Sequence, residues 1–366
     1  MADAAPRMAD TARPGEVRPL TALRGLAAMA VVTQHFSATA QAHANTTIPS
    51  LVPHGYMAVD FFFVLSGFIM CYTYLARFER SGMATYGDFL ARRAARVLPL
   101  NVAVLLLIFA AGMLCQALGT TDYVTGDLLR PPRWGLDLPE NMLLLPPFGI
   151  GENLNGPSWS ISVEAVAYLL FPLLILPAFH PRPAVRLLLA AVALVIMSRI
   201  NLAGDGSVQA QVLRCLCEFS LGMLSFGVLR AGQARRIGSD GSVLALLASI
   251  AALLLARQDF LAAILFPPLV LATARNQGLA ARLLSADWVW RLGVISYSLY
   301  LLHNMFRMPL LALLTAWHPA PLSAPAALAF AAAGSLAVIP FAVAAHRLVE
   351  QPGRGWVRAL FHSGRG

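Results

Sequence analysis

"TALRGLAAMAVVTQHF" runs from Thr21 to Phe36, and its reading decides the fold. The stretch is apolar enough to read as a membrane-spanning helix. Yet it carries Arg24 and His35, residue types that a bilayer penalises. The two are eleven residues apart. At about 3.6 residues per turn that is close to three turns, so they share one helix face, about 16 Å apart along the axis. An ionisable group at membrane depth is costly unless it faces a cavity or a partner, which makes function the first hypothesis for both. Arg24 lies near the inner end, where snorkelling to the headgroups is the competing reading.

The whole composition agrees with lipid as the solvent. Of 366 residues, 58% are hydrophobic and 12% are charged, and the mean hydropathy is +0.66. An ordinary soluble domain is excluded. The net charge of +9 reads as cytoplasmic loop charge rather than as a nucleic-acid surface. The 4 cysteines, Cys71, Cys115, Cys215 and Cys217, all lie in apolar segments. Cys215-Leu-Cys217 lacks metal-site spacing and has no histidine nearby, so neither a metal nor a disulfide framework is expected. Arg7, Arg13 and Arg18, the apolar stretch and then "SATAQAHA" have the outline of a signal peptide. The shortness of the apolar stretch and the acids Asp3, Asp10 and Glu16 favour a retained helix.

Working outward, stretches long enough to span a bilayer fall at 19–40, 56–77, 97–119, 159–180, 184–200, 208–230, 242–257, 259–275, 291–316 and 325–346. The expected fold is an all-α integral membrane protein with about ten transmembrane helices. Arginines alternate from connection to connection, as the positive-inside rule requires. Arg77, Arg80, Arg92, Arg93 and Arg96 lie on one side, with Arg182 and Arg186, then Arg230, Arg235 and Arg236, then Arg275, Arg282 and Arg291. The opposite connections are poorer in basic residues. Both termini are therefore expected to be cytoplasmic. The leader is 1–18, the transmembrane domain 19–346 and the basic tail 347–366. Residues 78–97 read as an inner amphipathic helix with Arg92, Arg93 and Arg96 on its polar face. Residues 120–158, rich in Pro and Gly, read as an ordered outer loop or re-entrant segment.

The polar residues divide by depth. On the inner side lie Arg24, Arg92, Arg93, Arg96, His346 and Glu350. Further out lie His35, Asp60 of "VDFFFVLSGF", and Trp159, Ser160 and Glu164 of "WSISVEAVAYLLFP". Asp60 is placed to orient an imidazole, or is a solvated acid at a helix start. Ser66-Gly67 suits close helix packing. Tyr297, Ser298, Tyr300, His303 and Asn304 make a polar set at helical spacing, readable as a site or as interhelical glue. Arginine clusters suit phosphates through forked hydrogen bonds. A histidine with carboxylates suits taking a proton from a hydroxyl. A donor with a phosphorylated head and a long thin arm connects the two, and acyl-coenzyme A has that shape.

These motifs resemble the acyltransferase 3 family of integral membrane acyltransferases. The matching pieces, in the family's order, are "RGLAAMAVVTQH", "VDFFFVLSGF", "RRAARVLP", "WSISVEAVAYLLFP", "SYSLYLLH" and "VEQP". The resemblance implies a membrane-bound O-acyltransferase of about ten helices in the cytoplasmic (inner) membrane. It moves an acyl group, above all acetyl, from cytoplasmic acyl-CoA to a hydroxyl. The acceptor it implies is a carbohydrate or glycan, such as an exopolysaccharide or lipopolysaccharide unit, with peptidoglycan and macrolides among the family's others. Acetyl-CoA is then a co-substrate, with no bound cofactor. The family's first-helix Arg and His match Arg24 and His35. Its basic inner motif matches Arg93 and Arg96, and its late Glu-x-Pro matches Glu350 and Pro352. Arg24, Arg92, Arg93 and Arg96 are expected to hold the donor. His35 is expected to act as general base, with Asp60 or Glu164 orienting the imidazole or the sugar. Trp159, Ser160, Tyr297, His303 and Glu350 are expected to bind substrate or to support the site. A covalent acyl-His35 stays open. The fused SGNH-type esterase domain of some members is not expected. The alternative is a polytopic transporter or flippase, against which stands the lack of evident broken helices and paired repeats.

Overall fold

The computed structural model describes residues 15–117, 134–151, 153–203, 206–233, 237–317 and 320–363. Among these the regular structure is helical, apart from an isolated bridge between Ala44 and Leu322. In chain order the helices are α1 (Arg18–Ala42), α2 (Ala58–Ser81), α3 (Tyr86–Ala117), α4 (Trp134–Met142), α5 (Ser158–Ala178), α6 (Pro183–Met197) and α7 (Val208–Arg230). They continue with α8 (Asp240–Leu255), α9 (Asp259–Ile264), α10 (Phe266–Arg275), α11 (Leu279–Leu284), α12 (Asp287–Val294), α13 (Ser296–Trp317), α14 (Ala324–Ala345) and α15 (Gln351–Ser363).

Each of the ten apolar stretches falls on a helix or on a broken pair of helices. Four helical runs, 55–114, 158–178, 208–230 and 324–360, are long and apolar enough to cross a membrane. Helices α6 and α8 are apolar but only 15 and 16 residues long. The chain is thus an all-helical membrane protein. Its outer faces carry exposed Leu106, Leu173, Leu187, Leu188 and Leu244, as a lipid-facing bundle should.

Close approach sets the centre of the bundle. Helices α2 and α7 pack against each other more extensively than any other pair. A Cβ on Gly67 would strike the backbone of Phe219, and one on Gly222 would strike the backbone of Val64. Small residues let two backbones approach where lipid supplies no hydrophobic drive between helices. The packing reading of Ser66-Gly67 therefore holds. Around this contact sit Phe63, Phe68, Phe89, Phe171 and Phe219, all buried.

Three expectations are corrected. The 78–97 segment is not a separate amphipathic helix. Helix α2 runs to Ser81, turns through Gly82 at φ +50°, and α3 then continues unbroken from Tyr86 through Pro99. Arg92, Arg93 and Arg96 fall within one sector of about 100° on α3, but they meet different partners: Arg92 pairs with Asp88 at 2.8 Å and Arg93 donates to the Tyr74 hydroxyl at 2.8 Å. The 259–275 stretch is two short helices divided just before Pro267-Pro268, where missing N–H groups interrupt the ladder. The 291–316 stretch is also broken, at Ile295 between α12 and α13. The premise that broken helices are absent is therefore wrong.

Of the expected outer loop, residues 120–133 and 152 lie outside the described residues. The remainder is ordered by buried amides. The Leu154 N–H donates to Asn141 Oδ1 at 3.0 Å, and Asn155 Nδ2 donates to the Leu301 carbonyl at 3.1 Å. The first bond ties the entrance of α5 to α4, and the second ties it to α13.

Candidate active site

Three cavities adjoin along the α1 face that carries Arg24 and His35. The first, about 260 Å³, is lined by Glu16, Thr21, Arg24, Tyr72 and Arg96. It shares Arg24, Leu65, Ile69 and Arg96 with a central cavity of about 290 Å³. The central cavity shares Val59 and Tyr300 with a third, of about 450 Å³, lined by His35, Trp159, Arg214, Asn304 and Arg307. The helical repeat explains the lining. Residues 24, 31 and 35 of α1, 160, 164 and 168 of α5, and 297, 300, 304 and 307 of α13 each form one stripe. Arg24 and His35 therefore share a face and stand at different depths, as the spacing predicts.

The arginine end is built on the helix break. The Gly293 carbonyl, freed by the break, accepts from Arg24 Nη2 at 2.9 Å and from Ser296 Oγ at 2.8 Å. Arg24 Nε donates to Ser296 Oγ at 2.9 Å. Irregular backbone at membrane depth persists only where such partners meet it. Arg93 donates to the Tyr74 hydroxyl at 2.8 Å and lies 5.2 Å above the Tyr74 ring. Arg24, Arg93 and Arg96 all line the central cavity. Arg92 lines none of the three cavities and is held instead by Asp88.

Glu164 is also corrected. It lies with the arginines in the central cavity, and Tyr168 donates to its carboxylate at 2.6 Å. It does not line the His35 cavity. Tyr297 lines the central cavity too, its hydroxyl donating to the Val97 carbonyl at 2.7 Å. Glu350 is buried in a clasp. One oxygen accepts from Ser298 at 2.7 Å and pairs with His346 at 2.9 Å, and the other takes Arg354. The π turn His346–Glu350 that presents it ties α13 to α15, and Glu350 lines none of the three cavities.

At the neck between the central and outer cavities, the Ser160 and Tyr300 hydroxyls lie 2.8 Å apart, and Phe62 meets the Tyr300 ring edge to face at 5.9 Å. Beyond it, His35 and His303 are joined, with Nδ1 of His35 and Nε2 of His303 at 3.0 Å. Trp159 lines this chamber and packs against Phe63. Asp60 does not orient His35, contrary to the sequence reading. Both its oxygens are held by Arg214 in a buried fork, because α2 and α7 face each other so closely. Arg307 donates to Asn304 Oδ1 at 2.8 Å and to Thr39 Oγ1 at 2.7 Å. Thr39 in turn donates to the His35 carbonyl at 3.0 Å. Among the described residues no carboxylate pairs with Arg307, which lines this chamber. No metal-ligating cluster occurs among the described residues.

Comparison with known proteins decides the chemistry. The acyltransferase 3 family, described as an acyltransferase domain, matches residues 19–345. The chain belongs to that family. It is 31% identical to the acyltransferase MdmB of Streptomyces mycarofaciens over 78% of each chain. It is 32% identical to protein 2 in the picA locus of Rhizobium radiobacter over 40% of this chain and 76% of that protein. It is 26% identical to the O-acetyltransferase OatA of Staphylococcus aureus over 55% of this chain and 34% of OatA. No solved structure matches. This acyltransferase 3 member is therefore a membrane-bound acyltransferase, which needs an acyl donor and a hydroxyl acceptor.

In this acyltransferase the sequence reading missed several residues that shape the site. Arg214 and Glu218 stand one turn apart inside the apolar "VLRCLCEF" and are both buried. Intramembrane ionisable residues were the available signal. Arg307 continues the polar stripe of "SYSLYLLHNMFR" that already holds Asn304, so extending the same periodicity finds it. Tyr168 gives no comparable signal, because its importance lies in what it touches.

Proposed function

We propose that this acyltransferase carries an acyl group, most readily acetyl, from cytoplasmic acyl-CoA to a hydroxyl of a carbohydrate or glycan on the outer side of the cytoplasmic membrane. The observation that carries the proposal is the series of adjoining cavities, basic at one end and histidine-bearing at the other. Arg96 and Arg93, with Arg24 behind them, hold the phosphates of the donor through charge-assisted hydrogen bonds. The acyl-bearing arm passes the Tyr300 neck, and the acceptor occupies the larger chamber beside Trp159, Asn304 and Arg307. His35 takes the hydroxyl proton as the oxygen attacks the thioester carbon. The thiolate leaves as the carbon–sulfur bond breaks and recovers that proton. Arg307 supplies positive charge for the oxyanion or the acceptor. The reading includes about ten crossings with both termini cytoplasmic, which puts the arginine end on the coenzyme's side.

The test is transfer from radiolabelled acetyl-CoA by purified protein in proteoliposomes, with mass spectrometry of host glycans in its presence and absence. His35→Ala is expected to abolish transfer. Near-normal transfer by that variant overturns the assignment. Net movement of unmodified substrate, with no acetyl-CoA consumed, returns the transporter reading.

A further inference from the structure

The His35–His303 contact has a direction. Nδ1 of His303 lies 2.5 Å from the Tyr300 carbonyl. A carbonyl only accepts, so that nitrogen carries the hydrogen. The other nitrogen of a neutral His303 is then a bare acceptor, and it lies 3.0 Å from Nδ1 of His35. Nδ1 of His35 must therefore be the donor. The Val31 carbonyl, one turn earlier in α1, is a second acceptor for the same ring. The one remaining polar atom of His35 is an unprotonated Nε2, on a ring that lines the acceptor chamber. The two ring planes are 19° apart with centroids 4.9 Å apart. The 3.0 Å nitrogen separation is shorter than the ~3.5 Å of a face-to-face carbon contact, so the hydrogen bond rather than ring stacking joins them.

We infer that His303 is the positioning residue of the reaction: with the Tyr300 carbonyl behind it, it fixes His35 in the tautomer that leaves Nε2 free to accept the acceptor's proton. This is the role that the sequence reading sought in Asp60 or Glu164. A neutral relay suits a chamber that already holds the Arg307 cation. A carboxylate there would instead pair with Arg307 and draw it away from the acceptor. In the step, the hydroxyl proton passes to His35 Nε2, the imidazolium keeps its Nδ1–H bond to His303, and the proton goes to the departing thiolate. His303 itself never changes protonation. The inference rests on the reading of His35 as base.

The experiment compares His303→Phe and His303→Gln in the full-length protein. Phe keeps a ring without an acceptor, and Gln restores an acceptor oxygen. With radiolabelled acetyl-CoA and N-acetylglucosamine as probe acceptor, His303→Phe is expected to lower kcat about tenfold with KM for acetyl-CoA within twofold. The Val31 carbonyl remains, so the loss stops short of that in His35→Ala. His303→Gln is expected to recover most of the activity. Diethyl pyrocarbonate attacks an unprotonated imidazole nitrogen, and its rate at His35, read by peptide mass spectrometry, needs no turnover. That rate is expected to fall several-fold in His303→Phe and to recover in His303→Gln. Unchanged kcat and unchanged labelling in His303→Phe overturn the inference while His35→Ala remains inactive. If His35→Ala is itself active, the base assignment fails instead. A His303→Phe protein that does not fold leaves the Gln variant, in which labelling well below that of the wild type overturns the inference.

Discussion

Two residues on one face of α1 divide the work of the site. His35 lines the third cavity beside His303, and Arg24 braces the broken helix beside the central cavity. Removing a general base typically costs 10²–10⁴ in rate. His35→Ala is expected to lose transfer on that scale while retaining binding of acetyl-CoA, measurable as protection against thermal unfolding. The arginines separate by partner rather than by sequence neighbourhood. Hydrogen bonds to charged groups are worth about 1.5–3 kcal/mol. Arg96→Ala is therefore expected to raise KM for acetyl-CoA about 10- to 100-fold, whereas Arg92→Ala, whose partner is Asp88, is expected to change it less than twofold. Steady-state kinetics of the two variants side by side decide it. An equal effect at both positions would give Arg92 a part in donor binding despite its pair with Asp88. Nothing in the neighbouring letters Arg92-Arg93 distinguishes the two. Only packing gives one of them to Asp88 and the other to Tyr74.

At the scale of elements, the α2–α7 contact carries the site. Gly67 and Gly222 lie against the opposing backbone, and overpacking such a contact costs typically 1–3 kcal/mol. Gly222→Val is expected to lower the unfolding temperature in detergent, with transfer lost in proportion to folded protein. The fork between Asp60 and Arg214 sits in the same contact, with Asp60 wholly buried. Breaking one partner of a buried pair costs about 3–5 kcal/mol because the other charge is left uncompensated. Asp60→Ala is expected to be unstable, and Asp60→Ala with Arg214→Leu to recover stability without restoring a carboxylate. Failure of the double variant to recover would give Asp60 a role beyond the pair. The sequence shows both residues as intramembrane charges. That they answer each other across 154 positions is decided by two glycines that bring the helices together.

At the scale of the molecule, the cavities run from a basic end to a histidine end, so the proposed reaction has a side. Inside-out membrane vesicles are expected to consume added acetyl-CoA, and sealed right-side-out vesicles to do so only after permeabilisation. Equal consumption by intact vesicles of both orientations would refute the assigned orientation. The apolar stretches, the family and the candidate residues of the first helix were legible in the sequence, because hydropathy and a repeat of about 3.6 residues are local properties that lipid enforces along each segment. The breaks at Ile295 and before Pro267 were not: hydropathy runs on across them, and at the first break the Gly293 carbonyl is met by Ser296 and by Arg24, 269 residues away in sequence. In the same way, the chain by itself placed His35, Asp60, Glu164 and His303 in apolar helical stretches, where ionisable groups need partners. The tertiary structure decided who those partners are, giving Asp60 to Arg214, Glu164 to Tyr168 and His35 to His303. A hydrogen bond depends on distance and direction in space, and neither is written in the order of the residues.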